Sequence, residues 1–145
     1  MSDKELTLED IKPLFNTMPI VYFATSVDNQ PHVRPMALIF NEGKYLLTSR
    51  AYEIKMKEVE QNSKMEFSFF ITKEDRHNWN IRVTGHAAVV EDLEVKKSAV
   101  KAITFFDNYW TSPSDPNYGL ISLKIEKVSV NDSKTKNRYE FEWQD

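Results

Sequence analysis

Two runs of β-branched and aromatic residues, Ile20–Val27 and Val33–Phe40, flank Asp28-Asn29-Gln30-Pro31, and this pattern constrains the fold more than any other feature of the 145-residue chain. Asp and Asn tolerate left-handed backbone and Pro presets a turn, so the two runs read as an antiparallel hairpin. A second turn at Asn41-Glu42-Gly43 leads into Lys44–Thr48, which predicts three sequential antiparallel strands. Strand character returns in Met65–Thr72, in Asn80–Val90 with Gly85 expected at a bulge, and in Gly119–Val130. Tyr139–Trp143 reads either as a last strand or as an ordered tail.

Helical periodicity is confined to three stretches. Thr7-Leu8-Glu9-Asp10 resembles a capping box and opens a predicted helix over roughly Leu8–Met18. Glu53–Gln61 is strongly charged, with Ile54, Met56 and Val59 as an apolar edge, and reads as a short exposed helix. Asp92 is placed to cap a helix running through Phe106, and Tyr109–Tyr118, holding Pro113 and Pro116, reads as a loop. No alternating βαβ rhythm appears. The expected fold is therefore mainly β: a six- to seven-stranded antiparallel barrel with peripheral helices, one domain spanning residues 1–145.

Composition then removes whole classes of chemistry. There is no cysteine, which excludes disulfides, iron–sulfur clusters, thiolate zinc sites and cysteine nucleophiles, so a redox role needs a borrowed cofactor. A formal net charge of −3 gives no general grip on nucleic acid or anionic lipid, and anion binding has to be local. No apolar run approaches the ~18 residues of a membrane span. Met1–Asp10 is polar and mixed in charge, with no export signal, so a cytoplasmic protein is expected. The glycines at positions 43, 85 and 119 form neither a dinucleotide fingerprint nor a P-loop, which leaves a nucleotide to be held by side chains. His32, His77 and His86 lack metal-ligand spacing, no metal site is expected, and no serine sits in a nucleophile elbow.

The candidate chemistry is concentrated in three places. In His32-Val33-Arg34-Pro35-Met36 a proline interrupts a strand, which marks an edge or bulge, and alternation places Arg34, Met36, Leu38 and Phe40 on one face. Arg34 there is either a rim arginine paired with an acidic residue or a fork-shaped phosphate clamp. Thr48-Ser49-Arg50 followed by Lys55 supplies hydroxyls and a cation near a helix start, the parts of an anion site without a glycine loop, or else a surface loop and a solvated lysine. Asn78–His86 mixes amide, aromatic and basic side chains on one strand.

Taken in order, these segments resemble a known family. Tyr22-Phe23-Ala24-Thr25-Ser26-Val27-Asp28, Pro31-His32-Val33-Arg34-Pro35-Met36, Tyr45-Leu46-Leu47-Thr48-Ser49, Lys55–Asn62 and Ile81-Arg82-Val83-Thr84-Gly85-His86-Ala87 are similar to the pyridoxamine-phosphate-oxidase-like split barrels. Tyr109-Trp110 and Pro113–Tyr118 resemble the small general-stress-protein branch in particular. The resemblance covers about residues 8–130. It implies a homodimer binding two molecules of flavin mononucleotide (FMN) at the subunit interface, acting as an oxidoreductase on a small-molecule substrate, with NADH or NADPH as a conceivable reductant.

Carried over by position, Arg34 and Lys55 hold the phosphate with Thr48 and Ser49. Val33, Pro35 and Met36 lie beside the flavin ring, and Trp110 packs on it from the partner subunit or else packs at the dimer seam. A non-catalytic flavin-storage protein is the rival reading, and the same barrel holding heme or a deazaflavin, through His32 or His86 in the heme case, is another. The family's vitamin oxidases continue into a C-terminal arginine–histidine pair that holds their substrate, whereas this sequence closes on Arg138–Asp145. Oxidation of pyridoxamine phosphate is therefore not expected.

Overall fold

A computed structural model describes residues 5–145; the first four residues of the polar Met1–Asp10 stretch lie outside it. The elements run α1 (Leu8–Phe15), β1 (Ile20–Val27), β2 (Gln30–Ala37), β3 (Ile39–Asn41), β4 (Lys44–Arg50), α2 (Ile54–Gln61), β5 (Lys64–Glu74), β6 (His77–Val89), α3 (Leu93–Val100), β7 (Tyr118–Asp132) and β8 (Arg138–Glu142). All eight strands join one antiparallel sheet in the order β2-β1-β5-β6-β7-β4-β3, with β8 paired to β7. Among the described residues, no helix is long and apolar enough to cross a membrane.

The β1–β2 hairpin turns on Asp28 and Asn29 alone, with φ of 52° and 64°. Two positive φ values in a two-residue loop match the right-handed twist of the flanking strands. The turn is thus tighter than the sequence suggests, and Gln30 and Pro31 already belong to β2. Because β2 is an edge strand, Pro31 and Pro35 deprive no inner ladder of a hydrogen bond.

Val33–Phe40 is not one strand. Leu38 and Ile39 are both buried, which a period of two forbids in a straight strand, and the chain turns a corner there. Leu38 N–H donates to the Pro19 carbonyl at 2.9 Å, and the residues beyond it pair with β4 instead of β1. β2 and β4 are therefore not ladder neighbours. The corner also breaks the expected shared face: Leu38 is buried, while Phe40 is exposed. This division and the pairing of β8 raise the strand count to eight.

The bulge expected at Gly85 is present. Thr84 pairs with Lys127 and Gly85 with Ile125, which leaves Glu126 as the extra residue. A Cβ at Gly85 would sit 2.0 Å from the Lys124 carbonyl oxygen, so no other residue fits without moving backbone.

The helices are shorter than their periodicity implies. α1 ends at Phe15 because Met18 takes a φ of 55° and Pro19 follows it. α3 ends at Val100, and the chain continues through i→i−3 turns that still bury Ile103 and Phe106. One core fills the barrel around Phe15, Phe23, Phe67, Phe69 and Val83; a second lies beneath α3 around Leu46, Phe106, Trp110, Tyr118 and Leu120. The tail is a strand followed by an anchor, Trp143, whose ring lies 5.0 Å from Phe15 and 5.8 Å from Tyr45.

At the far end of the sheet, Asp132 ties two hairpin turns together. Its carboxylate accepts from His77 Nε2 and Trp79 Nε1, each at 3.1 Å, and from the backbone N–H groups of Lys134 at 2.9 Å and Thr135 at 3.1 Å. Burial pushes the carboxyl up, but the Thr135, Lys134, His77 and Trp79 donors outweigh it and hold the group at about 2. A carboxyl lowered by folding contributes stability above its unfolded pKa and loses it as pH falls through the folded one. The expected contribution is on the order of 1–2 kcal/mol, full above about pH 5 and gone near pH 1. Urea melts of wild type and Asp132→Asn across that range should converge as pH falls; a constant gap would contradict this assignment.

Candidate functional site

The corner at Leu38 leaves a cleft of about 390 Å³ between the end of β2, the end of β4, the start of α2 and the chain after α3. Its wall includes Pro35, Met36, Thr48, Ser49, Lys55 and Trp110. These are six of the eight residues singled out from sequence, drawn together from two strands, one helix and a loop. Ala37, Arg50, Glu53, Phe105 and Tyr109 complete the lining. Val33 and Arg34 do not line it; Val33 is 67% exposed on the outer face of the edge strand.

Lys55 dominates the electrostatics of the cleft. Its Nζ donates to Ser49 Oγ at 3.4 Å, and among the described residues it forms no ion pair. Burial pushes its ammonium down, Glu53 and Glu58 oppose that push, and Arg34 and Arg50 reinforce it. Arg50, by contrast, reaches Glu53 at 3.6 Å and lies 5.4 Å from the Tyr109 ring centroid. The cleft therefore presents a partly desolvated cation that forms no ion pair among the described residues and is eased only through space by Glu53 and Glu58, beside two hydroxyl side chains, a setting that suits an anion.

Gly119 makes this possible. A Cβ there would lie 2.7 Å from the Ser49 carbonyl oxygen and 3.0 Å from the Met56 side chain. Its bareness lets β7 pass close behind the β4 end and the first turn of α2.

Arg34 takes the paired alternative. Nη1 donates to the Phe23 carbonyl at 3.3 Å and Thr25 Oγ1 at 3.0 Å, and Nη2 to Glu58 Oε1 at 2.9 Å. The other Glu58 oxygen is held by His32 Nδ1, which must carry its proton toward an ionised carboxylate. Burial raises the Glu58 carboxyl, but the His32 hydrogen bond and the Arg34 charge outweigh it and leave it below the ordinary range. Sequence reasoning missed Glu58 because a charged helix suggests that its acids face water. The structure instead buries Met56, Glu58 and Val59 and leaves Ile54 70% exposed. The available signal was His32 and Arg34, two residues apart on one strand face and in need of a common counter-ion.

Trp110 is built into its own chain. It is 5% exposed, its ring lies 5.4 Å from Phe106 and 5.1 Å from Tyr118, and Nε1 donates to the Asn117 carbonyl at 2.9 Å. The outward ring of that loop is Tyr109, at 54% exposure. His86 is held by Ser63 Oγ at 2.7 Å and lies 3.5 Å from Glu126; neither it nor His32 lines the cleft.

The chain is thus an antiparallel barrel split at a corner, with a cation-bearing cleft at the split. The sequence signature of the pyridoxamine 5'-phosphate oxidase family matches residues 7–132, and the chain belongs to that family. Among curated proteins no relative matches it. Among solved structures, a NimC/NimA family protein from Clostridium acetobutylicum is similar at 25% identity and a TM-score of 0.77, covering 94% of this chain and 92% of the other. General Stress Protein 26 from Bacillus anthracis shares the fold at 18% identity and a TM-score of 0.67, over 92% and 97% of the two chains. The FAD binding protein from Mycobacterium smegmatis does so at 16% identity and 0.67, over 92% and 98%.

Proposed function

We propose that this chain is an FMN-binding protein whose cleft takes the flavin phosphate, and that it works as an oxidoreductase on a small molecule. The observation that carries this reading is Lys55, a partly buried ammonium that forms no ion pair among the described residues, set beside Ser49 in the cleft. A phosphomonoester, with about −1.5 to −2 charges at neutral pH, supplies what Lys55 lacks. Lys55 would hold it with Ser49 and Thr48. Arg34 makes three contacts, which leaves two of the guanidinium's five N–H groups for a ligand. Met36 and Pro35 supply apolar surface for the ring system, whose hydride or electron chemistry is the cofactor's own.

A volume of about 390 Å³ is at the small end of the ~300–1,000 Å³ of ligand sites, so part of a flavin extends past the cleft. Beyond the rim lies an apolar sheet face. Ile20, Tyr22, Val33 and Phe70 are 57%, 49%, 67% and 63% exposed, and the β1–β2 and β1–β5 registers put all four on the same side. A second copy covering this face makes the homodimer, with cofactor at the seam. Sedimentation followed at the flavin's visible band should show that band moving only with a dimer. A flavin-loaded monomer would contradict the arrangement.

The phosphate is the discriminating part of the ligand. FMN is expected to bind about ten- to a hundredfold more tightly than riboflavin, since a charge-assisted contact is worth ~1.5–3 kcal/mol. Lys55→Ala should remove most of that preference. Equal affinity of the folded wild type for the two flavins would refute the site. For the reaction, NADH or NADPH added anaerobically to the flavin-loaded protein should bleach its visible absorbance, and an added quinone or nitroaromatic should restore it. Failure of both nicotinamides, with no other donor effective, would leave a flavin-storage protein as the better account.

A further inference from the structure

Glu58 is the only charged side chain of the buried class among the described residues, at 5% exposure, yet it does not line the cleft. A buried carboxylate is costly to keep and needs a structural or functional return. Its position supplies one. Lys55 and Glu58 are three residues apart on α2 and so are neighbours on one helix face. One Glu58 oxygen grips Arg34 Nη2 and the other His32 Nδ1, both from β2. The helix that carries the unpaired cation is thereby clamped to the strand that carries the second cation. Arg34 itself is fixed at three points, since its other amino group donates to Phe23 O and Thr25 Oγ1 on β1.

We propose that Glu58 is a positioning residue for the phosphate site: it holds the Arg34 guanidinium against the helix that carries Lys55, with His32 bracing the second carboxylate oxygen. The proposal rests on the reading of the cleft as a phosphate site. Two effects of the Glu58 charge compete. A carboxylate near an anion site repels the anion, but this one is directly paired with Arg34 at 2.9 Å, so at the site the two act as a dipole whose field falls off faster than a bare charge's. Against that weak repulsion stands the cost of letting a long guanidinium side chain wander, which the clamp removes in advance. Positioning wins, and losing Glu58 weakens phosphate binding.

The experiment compares FMN with riboflavin by fluorescence titration, on wild type, Glu58→Gln, Glu58→Asp and His32→Gln. Glu58→Gln keeps the shape and removes the charge; Glu58→Asp keeps the charge and shortens its reach. Both are expected to lower FMN affinity about three- to tenfold and leave riboflavin affinity unchanged. His32→Gln, at a half-exposed position where folding is safe, should lower FMN affinity about two- to fivefold, again without moving riboflavin. Should Glu58→Gln fail to fold, the Asp and His32 variants carry the test. Equal losses for both flavins would make Glu58 merely structural, and tighter FMN binding in Glu58→Gln would make it a repelling charge; either result overturns the proposal. Loss of the FMN preference in wild type overturns the phosphate reading and this proposal with it, whereas a preserved preference that ignores Glu58 overturns this proposal alone.

Discussion

The cleft exists because the sheet cannot close through a single continuous strand. At Leu38 the chain leaves the β1 side of the sheet and joins the β4 side, so β2 and β3, the two ends of the main strand path, are consecutive in sequence but hydrogen-bonded to different neighbours. A fully paired barrel would have filled that seam with ladder hydrogen bonds. Here the ends of β2 and β4 stand apart, and Met36 and Ala37 face Thr48 and Ser49 across the gap. The buried Leu38 side chain and its N–H bond to Pro19 hold the corner in place. Everything proposed for this protein occupies the space that corner leaves.

Charge then decides what the space is for. The chain as a whole is acidic, with a net charge of −3, so an anion gains nothing from the global field. Locally, Arg50 is engaged by Glu53 and Arg34 by Glu58, which leaves Lys55 as the cation in want of a counter-ion. Its partial burial makes that want stronger than it would be on the surface, because a desolvated ammonium has little water to fall back on. Lys55 therefore carries the larger part of the expected phosphate affinity, and Arg34 contributes through the N–H groups its internal contacts leave over.

Much of this was legible in the sequence, and the parts that were not share a cause. Local chemistry predicted a turn within Asp28–Pro31, the Gly85 bulge and the edge position of Pro35, because each is set by one or two residues' backbone freedom. Periodicity found the strands and the buried stripe that runs from Ala99 through Ile103 to Phe106. It failed where tertiary packing overrides a repeat. Val33–Phe40 alternates well enough to look continuous, and only the need to bury both Leu38 and Ile39 shows the corner. Glu58 looks like a surface acid until His32 and Arg34 arrive from another strand. Trp110, which the sequence leaves between stacking on a ligand and ordinary packing, is packed by Phe106 and Tyr118 and still lines the cleft. Six of the eight candidate residues converge on one cleft because motif order carries information about the fold that single motifs lack.

The most direct measurement is a crystal structure of the protein grown with FMN. The account predicts the flavin phosphate within hydrogen-bonding distance of Lys55 Nζ and Ser49 Oγ, with the ring system running out past Met36 toward the face that carries Val33 and Tyr22. A phosphate bound elsewhere on the barrel, with Lys55 still facing only Ser49, would contradict it.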